Sequence, residues 1–501
     1  MDSTGLGPLD LIVVGAGSAG CVVASRLTED PARNVLLIEE GPDFAPPERW
    51  PQAIEYGKSM EASDFMITFG AHLRSDQPLS FVLRGRIVGG SGAVNGGIFM
   101  RGVPEDYDSW GSPLWAYSEV LKYFRKLESD LDFPDSDIHG DVGPMPVQRQ
   151  ARARWLPHQA AFYEAAKAIG HCDKPDLCQP LDNGVGPLPL NRIDGRRVSA
   201  AMAYIDPHRQ RPNLHLWPQS KVMRVLVVNG RAVGVEVLRE GKLIRVDADQ
   251  VVLSTGGLVS PQILVLSGIG PSETLSRLGI PVVADLAGVG QNVHDHPALS
   301  VDVATPDEWI PSQSDPSFQL AVVASTASGA IRNDIHIMPS FVFEDTLTYS
   351  SSLMLPVGSG VLEFHSADPA ERPQIEFRYL EGETDRTRFR ESVRMILDIL
   401  AQPSMSPVRK SRIEPTDADI ADDSALEAWI DRTMHTAKHT SGTCKMGSPS
   451  DHQAVVDYHG RVFGIEGLTI ADLSIAPNVV RAPANATAVM IGERIADFLA
   501  T

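Results

Sequence analysis

Two histidines near the carboxyl-terminal end of the chain have a spacing that could carry chemistry. His435 and His439 lie four residues apart in residues 433–447, TMHTAKHTSGTCKMG. Residues four apart share one face of a helix, and imidazole nitrogens are also common metal ligands. A neutral imidazole can in addition accept a proton from a substrate. The pair alone leaves open a metal site, one helix face, or one catalytic histidine beside a bystander.

A glycine turn near the amino terminus predicts a dinucleotide site. Residues 11–14 form an apolar run typical of a buried strand, and Gly15, Gly17 and Gly20 follow with the spacing G-x-G-x-x-G. Gly15 permits the tight turn, Gly17 lets a pyrophosphate approach the backbone, and Gly20 lets helix and strand pack closely. The amino terminus of the predicted helix then offers free N–H groups to the phosphates.

The next predicted strand ends in a carboxylate. The segment NVLLIEEG brings Glu39 nineteen positions after Gly20. A carboxylate at this place suits the ribose hydroxyls of an adenosine and would repel a 2′-phosphate. The pattern does not distinguish NAD from FAD.

A second segment, residues 85–110 (GRIVGGSGAVNGGIFMRGVPEDYDSW), is dense in glycine. Six glycines lie between Gly85 and Gly97, interleaved with Ser91 and Asn95. Because glycine permits positive φ angles and close approach, the segment indicates backbone folded tightly over a flat ligand. Here the chain resembles the glucose–methanol–choline (GMC) flavoprotein oxidoreductases, whose first signature is close to this segment. Five further segments carry the resemblance: STGGLVSPQILVLSGIGP (254–271), GVGQNVHDHP (288–297), HTSGTCKMG (439–447), GLTIADLSIAP (467–477) and NATAVMIGERIADFL (485–499).

The resemblance spans nearly the whole chain, is weakest over residues 300–430, and implies that the cofactor is FAD. It assigns the pyrophosphate to Gly15, Gly17, Ser18 and Gly20, the adenosine ribose to Glu39, and the pyrophosphate and flavin to Arg86, Gly89, Gly90, Ser91 and Asn95. It further places the backbone of Val222 at the adenine, Thr255 near the cofactor, and Asp472 with Leu473 over the ribityl region.

The family motif H-x-x-G-T-x-x-M-G falls on His439 rather than His435, and its partner falls on Asn485. Oxidation of an alcohol removes the hydroxyl proton while hydride leaves the carbon for flavin N5. A neutral imidazole with a pKa of about 7 is a natural proton acceptor, and an amide can steady the charge on the same oxygen. His435 is predicted to be structural, or at most to support a residue that contacts the substrate.

The chain departs from the family pattern in two places of the first signature. The usual second serine is Gly92, and the position of a flavin-linked histidine in some relatives is Val94. Valine cannot form that bond, so the FAD is predicted to be non-covalent.

The motifs predict an α/β flavin domain with a Rossmann-like FAD site, beside an α+β substrate domain built on an antiparallel sheet. The flavin domain is assigned residues 1–150, 199–298 and 437–501, and the substrate domain residues 151–198 and 299–436. In the latter, segments 333–343, 358–366 and 372–380 have strand patterns, and 385–405 has the pattern of an amphipathic helix. A second helix is predicted to begin at an Asp/Ser cap in 422–434, just before His439.

Composition limits the class of partner. With Asp+Glu 64 against Lys+Arg 44, the net charge of −20 argues against nucleic acid and anionic membranes, which require clustered cations. Four scattered cysteines indicate reduced thiols in a cytoplasmic protein, and no run of about 18 apolar residues predicts a membrane span. His294 and His296 in HDHP have no accompanying set of carboxylates or cysteines, so no metal site is predicted.

The resulting hypothesis is an FAD-dependent oxidoreductase that acts on the CH–OH group of a primary alcohol. The alternatives are a lyase or photoenzyme with the same fold, and a flavoprotein that senses without turnover. The partners expected are a small alcohol and either oxygen or a redox-cofactor acceptor. Many oxidases of the family have valine where this chain has Ala437, and residues 88–97 and 128–149 resemble the mycofactocin-associated branch, which acts as dehydrogenases. Oxidase and dehydrogenase both remain open, and the alcohol is not specified by the sequence.

Overall fold

A parallel sheet lies at the centre of the computed structural model, which describes residues 5–44, 50–56, 63–179, 183–310, 315–329, 331–343 and 346–501. In spatial order its five strands are Leu214–Trp217, Val35–Ile38, Leu11–Val14, Gln250–Leu253 and Leu468–Ile470. The two central strands that the sequence predicted, 11–14 and 35–38, are buried at every position. Continuous apolar runs form such strands because helices or loops cover both faces of a parallel sheet.

A second, antiparallel sheet faces the first across a cavity. Its strands are Cys172–Asp173, Gly184–Pro187, Pro297–Ala304, Leu320–Ala324, Ile335–Phe343, Thr346–Leu353, Ser411–Glu414 and His435–Thr436. Helices Pro157–Ala168, Glu383–Leu400 and Asp423–Thr433 pack against its strands or against one another. The fold class predicted from the sequence, an α/β flavin domain with an antiparallel-sheet substrate region, is confirmed.

The two helices predicted in this region are observed. Helix Glu383–Leu400 coincides with the predicted amphipathic segment, and the carboxylate of Asp422 caps Asp423–Thr433 by accepting a hydrogen bond from the Ala425 N–H at 2.8 Å. A cap of this kind satisfies one of the free amides in the first turn.

The assignment of three consecutive strands to this antiparallel sheet is wrong for two of them. Strand Ile335–Phe343 belongs to it, but Val361–Glu363 and Gln374–Glu376 form a four-stranded sheet with Met66–His72 and Ser80–Gly85. Alternation along a segment indicates a strand, but it does not identify the strand with which it pairs. The proposed domain boundaries therefore separate segments that share a sheet.

Other elements complete the frame. Ser220–Val228, Arg231–Arg239 and Lys242–Asp247 form an antiparallel three-stranded sheet. The remaining α-helices are Ser18–Leu27, Gln52–Glu55, Ser91–Val94, Pro104–Asp108, Tyr117–Leu127, Gly256–Leu266, Ser272–Arg277 and Asn485–Ala500. The first of these packs against the last, which brings the two ends of the chain together. Within the described ranges, no helix has both the length and the apolar character needed to cross a membrane.

Candidate active site

A cavity of about 450 Å³ lies at the carboxyl ends of the parallel strands. Gly15, Glu39 and Ser254 each directly follow a strand of the parallel sheet, and each lines this cavity. Because the carboxyl ends of parallel strands meet at one edge of the sheet, segments far apart in the sequence reach the same space. The opposite wall comes from the large antiparallel sheet.

Two ends of the cavity differ in the residues that form them. One end contains the predicted ribose and adenine contacts and is called the nucleotide end; it is formed by Glu39, Glu40, Lys221, Val222, Gln262 and Arg372. The other end contains the predicted catalytic residues and is called the reacting end; it is formed by Ile98, Ala298, Met338, Ser350, His435, Lys438, His439 and Asn485. The glycine turn that begins at Gly15 and the segment 90–96 line the space between them.

Glu39 is held in place by the backbone around it. Its carboxylate accepts hydrogen bonds from the N–H groups of Ala16 at 3.0 Å and Gly41 at 2.9 Å. Burial raises the pKa of Glu39 to about 7, although these two amides act in the opposite direction. The carboxylate is thus fixed at the edge of the glycine turn, where it borders the cavity as expected for a ribose contact.

The glycines serve two different purposes. A Cβ on Gly90 would lie 2.7 Å from Gly17 Cα, so the two glycine-rich segments touch through bare backbone. Gly15, Gly17 and Gly90 line the cavity, but Gly20 and Gly89, which the sequence also placed at the pyrophosphate, do not. A Cβ on Gly20 would lie 1.9 Å from the Gly15 carbonyl oxygen, and the Gly89 N–H donates to the Ala16 carbonyl at 2.6 Å. These two glycines permit close packing behind the cavity wall.

Other predicted contacts of the cofactor line the cavity. Val222 does so beside an irregularity in its strand pairing, and Thr255 and Leu473 do so near the middle of the cavity. The carboxylate of Asp472 accepts from the N–H groups of Gly256 at 2.9 Å and Ser474 at 2.8 Å. Asp472 therefore joins two helix amino termini at the cavity wall, and burial raises its pKa.

Asn95 and Ser91 are also in the wall, but part of their hydrogen-bonding capacity is used within the protein. The Asn95 side-chain oxygen accepts from Gly97 N–H at 2.9 Å and from the Arg197 guanidinium at 2.7 Å. The Ser91 hydroxyl accepts from Gly85 N–H at 3.1 Å. Arg197, which the sequence did not single out, is buried and fixes Asn95 from behind. Burial lowers the pKa of Arg197 to about 9.

His439 forms a side-chain pair with a histidine that sequence reasoning had dismissed. Its Nδ1 lies 2.8 Å from Nδ1 of His296, and its backbone N–H donates to the Asp295 carboxylate at 2.6 Å. Only one of the two facing nitrogens can carry the proton that they share. His296 belongs to the segment HDHP, which was considered only as a source of metal ligands.

The electrostatic environment of His439 differs from the expectation of a pKa of about 7. Burial lowers the pKa of His439 to about 3, and the positive charges of Arg84 and Lys438 act in the same direction. The His439 ring borders the cavity on one side, while protein atoms surround it elsewhere. Burial also lowers the pKa of His296 to about 3. Both rings are therefore neutral at physiological pH.

His435 lines the cavity as well, four residues from His439. Its Nε2 lies 3.2 Å from the Ser300 hydroxyl, which in turn lies 3.4 Å from the Ser350 hydroxyl. His435 is in a two-residue strand, not a helix. The four-residue spacing between His435 and His439 therefore does not reflect one face of a helix. This position is compatible with the predicted role of His435, which is structural or at most supports a residue that contacts the substrate.

Asn485 begins the last helix, Asn485–Ala500, and its side chain reaches the glycine turn. Its oxygen accepts a hydrogen bond from the Ser18 hydroxyl at 2.7 Å. With the amide in this orientation, its nitrogen remains available to donate toward the cavity. A Cβ on Gly92 would lie 2.5 Å from Ser18 Oγ and 3.1 Å from Asn485 Oδ1. Glycine in place of the usual serine therefore leaves room for this hydrogen bond.

Several residues of the reacting end were not found from the sequence. Ser350 and Ser352 line the cavity while Ser351, between them, is buried on the other face of the strand. Met338 and Phe318 supply apolar surface to the same wall. The alternation of a strand predicts which residues share a face, but the identity of the face depends on the distant segments that pack on it.

The arrangement matches that of a known family. Models of the amino- and carboxyl-terminal domains of the GMC oxidoreductases match residues 9–298 and 356–492. The chain belongs to the GMC oxidoreductase family.

Relatives within the GMC family include enzymes with different named substrates. The mitochondrial choline dehydrogenase of Homo sapiens is 36% identical over 97% of this chain and 89% of its own length. The 5-(hydroxymethyl)furfural oxidase of Methylovorus sp. (strain MP688) is 34% identical over 98% of both chains. The crystal structure of pyridoxine 4-oxidase from Mesorbium loti has a TM-score of 0.90, with 27% identity over 98% of this chain and 99% of that chain.

FAD is the cofactor of this GMC oxidoreductase, and the cavity fits it. The side-chain Nε of Arg86 is buried and has no hydrogen-bond partner among the residues that the structure describes, although Arg86 lines the cavity. An unpaired guanidinium nitrogen beside bare glycine backbone suits the oxygens of a pyrophosphate. Val94 lines the cavity with an alkyl side chain that offers no atom for a covalent flavin link.

A separate group of titratable side chains has the composition of a metal site. Glu128, Asp130 and His139 lie within 4.8 Å of one another and are buried. Two guanidinium groups occupy their oxygens, because Arg101 contacts Glu128 at 2.5 Å and Arg149 contacts Asp130 at 2.9 Å. The group is therefore a buried ion cluster in which arginines supply the positive charge.

The ribose contact gives a first prediction for this GMC oxidoreductase. Glu39→Ala should weaken FAD retention by at least about tenfold, because each charge-assisted hydrogen bond to a ribose hydroxyl contributes roughly 1.5–3 kcal/mol. The ratio of flavin to protein after extensive dialysis measures the loss. Thermal stability should recover when FAD is added in excess, since a ligand stabilises the state that binds it.

The neighbouring carboxylate provides a matched control for that variant. Glu40 pairs with Arg372 at 3.0 Å, and Glu40→Ala should lose less FAD than Glu39→Ala. A Glu39→Ala protein that purifies with its full complement of FAD would show that the ribose assignment is wrong.

Proposed function

We propose that this chain oxidises the CH–OH group of a primary alcohol to the carbonyl, with His439 and Asn485 at the reacting carbon. The observation that carries the proposal is that both side chains line one cavity, where Asn485 accepts a hydrogen bond from the Ser18 hydroxyl at the glycine turn. A base and an amide donor around one oxygen are what alcohol oxidation requires. Two relatives are named for choline and 5-(hydroxymethyl)furfural, and both compounds are primary alcohols.

His439 takes the hydroxyl proton at Nε2. In the tautomer of His296 that has its proton on Nε2, Nδ1 of His296 is left as an acceptor. Nδ1 of His439 then donates across the 2.8 Å contact, and its Nε2 keeps a free lone pair toward the cavity. His296 thus acts as a positioning residue that selects the useful tautomer of His439.

Asn485 holds the same substrate oxygen through its amide nitrogen. The Ser18 hydroxyl fixes the amide by donating to its oxygen, so the orientation is set before substrate arrives. The side chain also begins a helix of 16 residues, whose amino terminus favours negative charge. Both effects stabilise the alkoxide character that develops as the proton moves to His439.

Non-covalent FAD supplies the hydride acceptor, at N5, and oxygen or another acceptor restores its oxidised state. The protein contributes orientation, proton transfer and exclusion of water. Apolar side chains at the reacting end, among them Ile98, Met338 and Phe318, keep the alcohol carbon in a dry environment.

Anaerobic mixing with alcohols tests the proposal independently of the electron acceptor. A set of primary alcohols is mixed with the oxidised holoenzyme, and the loss of flavin absorbance near 450 nm is followed. We expect at least one alcohol to bleach the flavin, with one carbonyl product formed per flavin. Release of a product without bleaching, in the dark or in the light, would instead indicate a lyase or a photoenzyme.

A further inference from the structure

Two cationic side chains stand at the reacting end of the cavity, immediately beside His439. Lys438 and Arg84 both line the cavity, and both charges act on the His439 ring. The Arg84 guanidinium donates to the Lys438 carbonyl at 2.7 Å and also contacts the Thr440 hydroxyl. Arg84 therefore fixes the backbone from which the Lys438 side chain extends.

Among the described residues, neither cation has a carboxylate partner at hydrogen-bond distance. Within the part of the chain that the structure describes, the Lys438 ammonium makes no hydrogen bond or ion pair, and the Arg84 partners are two carbonyls and a hydroxyl. Asp295 lies close enough to interact with both charges. Its carboxylate is buried and already accepts from the His439 and His296 N–H groups, so it offsets one of the two charges from behind the wall.

The acidic residues of the cavity are elsewhere. Among the described residues that line it, the carboxylates are Glu39, Glu40 and Asp472. Glu39 is bonded to the glycine turn, Glu40 pairs with Arg372, and Asp472 holds two helix amino termini. The residues that line the reacting end consequently carry an excess of positive charge, with Lys438 exposed to solvent.

The backbone of Lys438 has an uncommon conformation at this point of the cavity wall. Its φ angle is +66°, in the left-handed region that residues other than glycine adopt at a cost. Its N–H donates to the Thr436 hydroxyl at 2.7 Å, which fixes the turn. The turn sets the Lys438 and His439 side chains on the same cavity.

We propose that the alcohol oxidised here carries an anionic group, such as a carboxylate, which Lys438 binds while the CH–OH group lies at His439 and Asn485. This inference rests on the proposed function and names the substrate class. It separates this chain from a dehydrogenase of choline, because a quaternary ammonium would meet two like charges, of which the buried Asp295 offsets one, and no carboxylate among the described residues that line that end. An anion at this place would pair with the ammonium directly and with Arg84 at longer range.

The test compares two alcohols of nearly the same shape and different charge, 4-(hydroxymethyl)benzoate and 4-nitrobenzyl alcohol. For the native protein, kcat/KM should be higher for the carboxylate. In Lys438→Gln the preference for the carboxylate should fall by about 10- to 100-fold, as expected when one charge-assisted hydrogen bond is lost, and most of the change should be in KM. Lys410→Gln, at an exposed lysine paired with Asp307, should retain the native preference.

A charge reversal makes the test sharper. Lys438→Glu should disfavour 4-(hydroxymethyl)benzoate further and should raise the activity toward choline relative to 4-nitrobenzyl alcohol. An unchanged preference in both Lys438 variants would overturn the proposal. A loss of FAD retention in these variants with an unchanged preference for the carboxylate would also overturn the proposal, because Lys438 would then bind the cofactor rather than the substrate.

A binding measurement distinguishes failure of this inference from failure of the proposed function. The inert anion 4-methylbenzoate is titrated into oxidised holoenzyme, and the perturbation of the flavin absorption band gives its Kd. We expect binding by the native protein, weakened about 10-fold or more in Lys438→Gln. If 4-methylbenzoate binds but no alcohol bleaches the flavin, the anion site is retained and alcohol oxidation is rejected. If an alcohol bleaches the flavin but 4-methylbenzoate does not bind, alcohol oxidation is retained and the anion site is rejected.

Discussion

Replacing His439 with alanine should slow the reduction of bound FAD by alcohol by on the order of 10²–10⁴, the range for a positioned acid or base. The flavin content should remain near normal, because His439 bonds to His296 and Asp295 rather than to the residues assigned to the pyrophosphate or ribose. Rapid anaerobic mixing isolates this half-reaction from reoxidation. The hydrogen bond between Nδ1 of His439 and Nδ1 of His296 at 2.8 Å gives the reason for the effect, since it orients the ring that is removed.

Variants of two other histidines serve as controls for His439→Ala. His452→Ala, at an exposed position, should leave the reduction rate unchanged. His435→Ala should change the limiting rate by no more than a few-fold, and its main effect should be on KM because the His435 side chain lines the cavity. If His435→Ala were the crippled variant and His439→Ala the mild one, the proton acceptor would have been assigned to the wrong histidine.

The lowered pKa of His439 predicts the pH dependence of the same step. A ring with a pKa of about 3 is neutral throughout the range in which the protein is folded and assayed. The rate of flavin reduction should therefore stay level from about pH 8 down to about pH 5. A decline centred near the usual histidine pKa of about 6.5 would mean that the bound cofactor and substrate restore the ordinary value.

Replacing Asn485 with alanine should slow the same reaction by on the order of 10²–10³, as expected when one donor to a developing oxyanion is lost. The variant keeps His439, so the remaining rate should exceed that of His439→Ala. Asn485→Asp should be at least as slow as Asn485→Ala, because a carboxylate would repel an alkoxide. A rate close to native in Asn485→Ala would remove Asn485 from the reacting centre.

Two controls separate the amide from its surroundings. Ser18→Ala removes the hydroxyl that holds the Asn485 oxygen at 2.7 Å, and it should produce a smaller loss than Asn485→Ala. Asn34→Ala, at an asparagine that bonds the carbonyls of Leu6 and Pro8 outside the cavity, should leave the reduction rate unchanged. Normal FAD content in each variant would assign the losses to the chemical step.

Much of the flavin half of the fold follows from local patterns. The run at 11–14, the turn at Gly15 and Gly17, and Glu39 at the end of the next strand are close in sequence, so short-range rules position them. Gly20 also follows such a rule, but its contact is with the Gly15 carbonyl rather than with the cavity. The spacing of the glycines predicts the positions at which no side chain fits. Only the folded structure shows which atoms approach the backbone at those positions.

The reacting end could be predicted only in part. The motif singled out His439 and Asn485, but the partner of His439 lies 143 residues earlier, at His296, and no local pattern connects them. The sequence gives no reason to select Lys438, because the family motif begins at the next residue, His439. The patterns of 361–363 and 374–376 identify them as strands but not their sheet, since 374–376 pairs with Met66–His72, far away in the sequence, and 361–363 pairs with 374–376.

The hydrogen bond between Ser18 and Asn485 joins residues 467 positions apart and has a consequence for how the protein matures. The edge strand Leu468–Ile470 completes the parallel sheet, and the last helix packs on the first. On the ribosome, the amino-terminal strands emerge long before either partner has been translated. The nascent chain must therefore keep its first strand and helix competent to fold until residues 468–500 have been synthesised, and the cavity wall that contains Asn485 is completed only then.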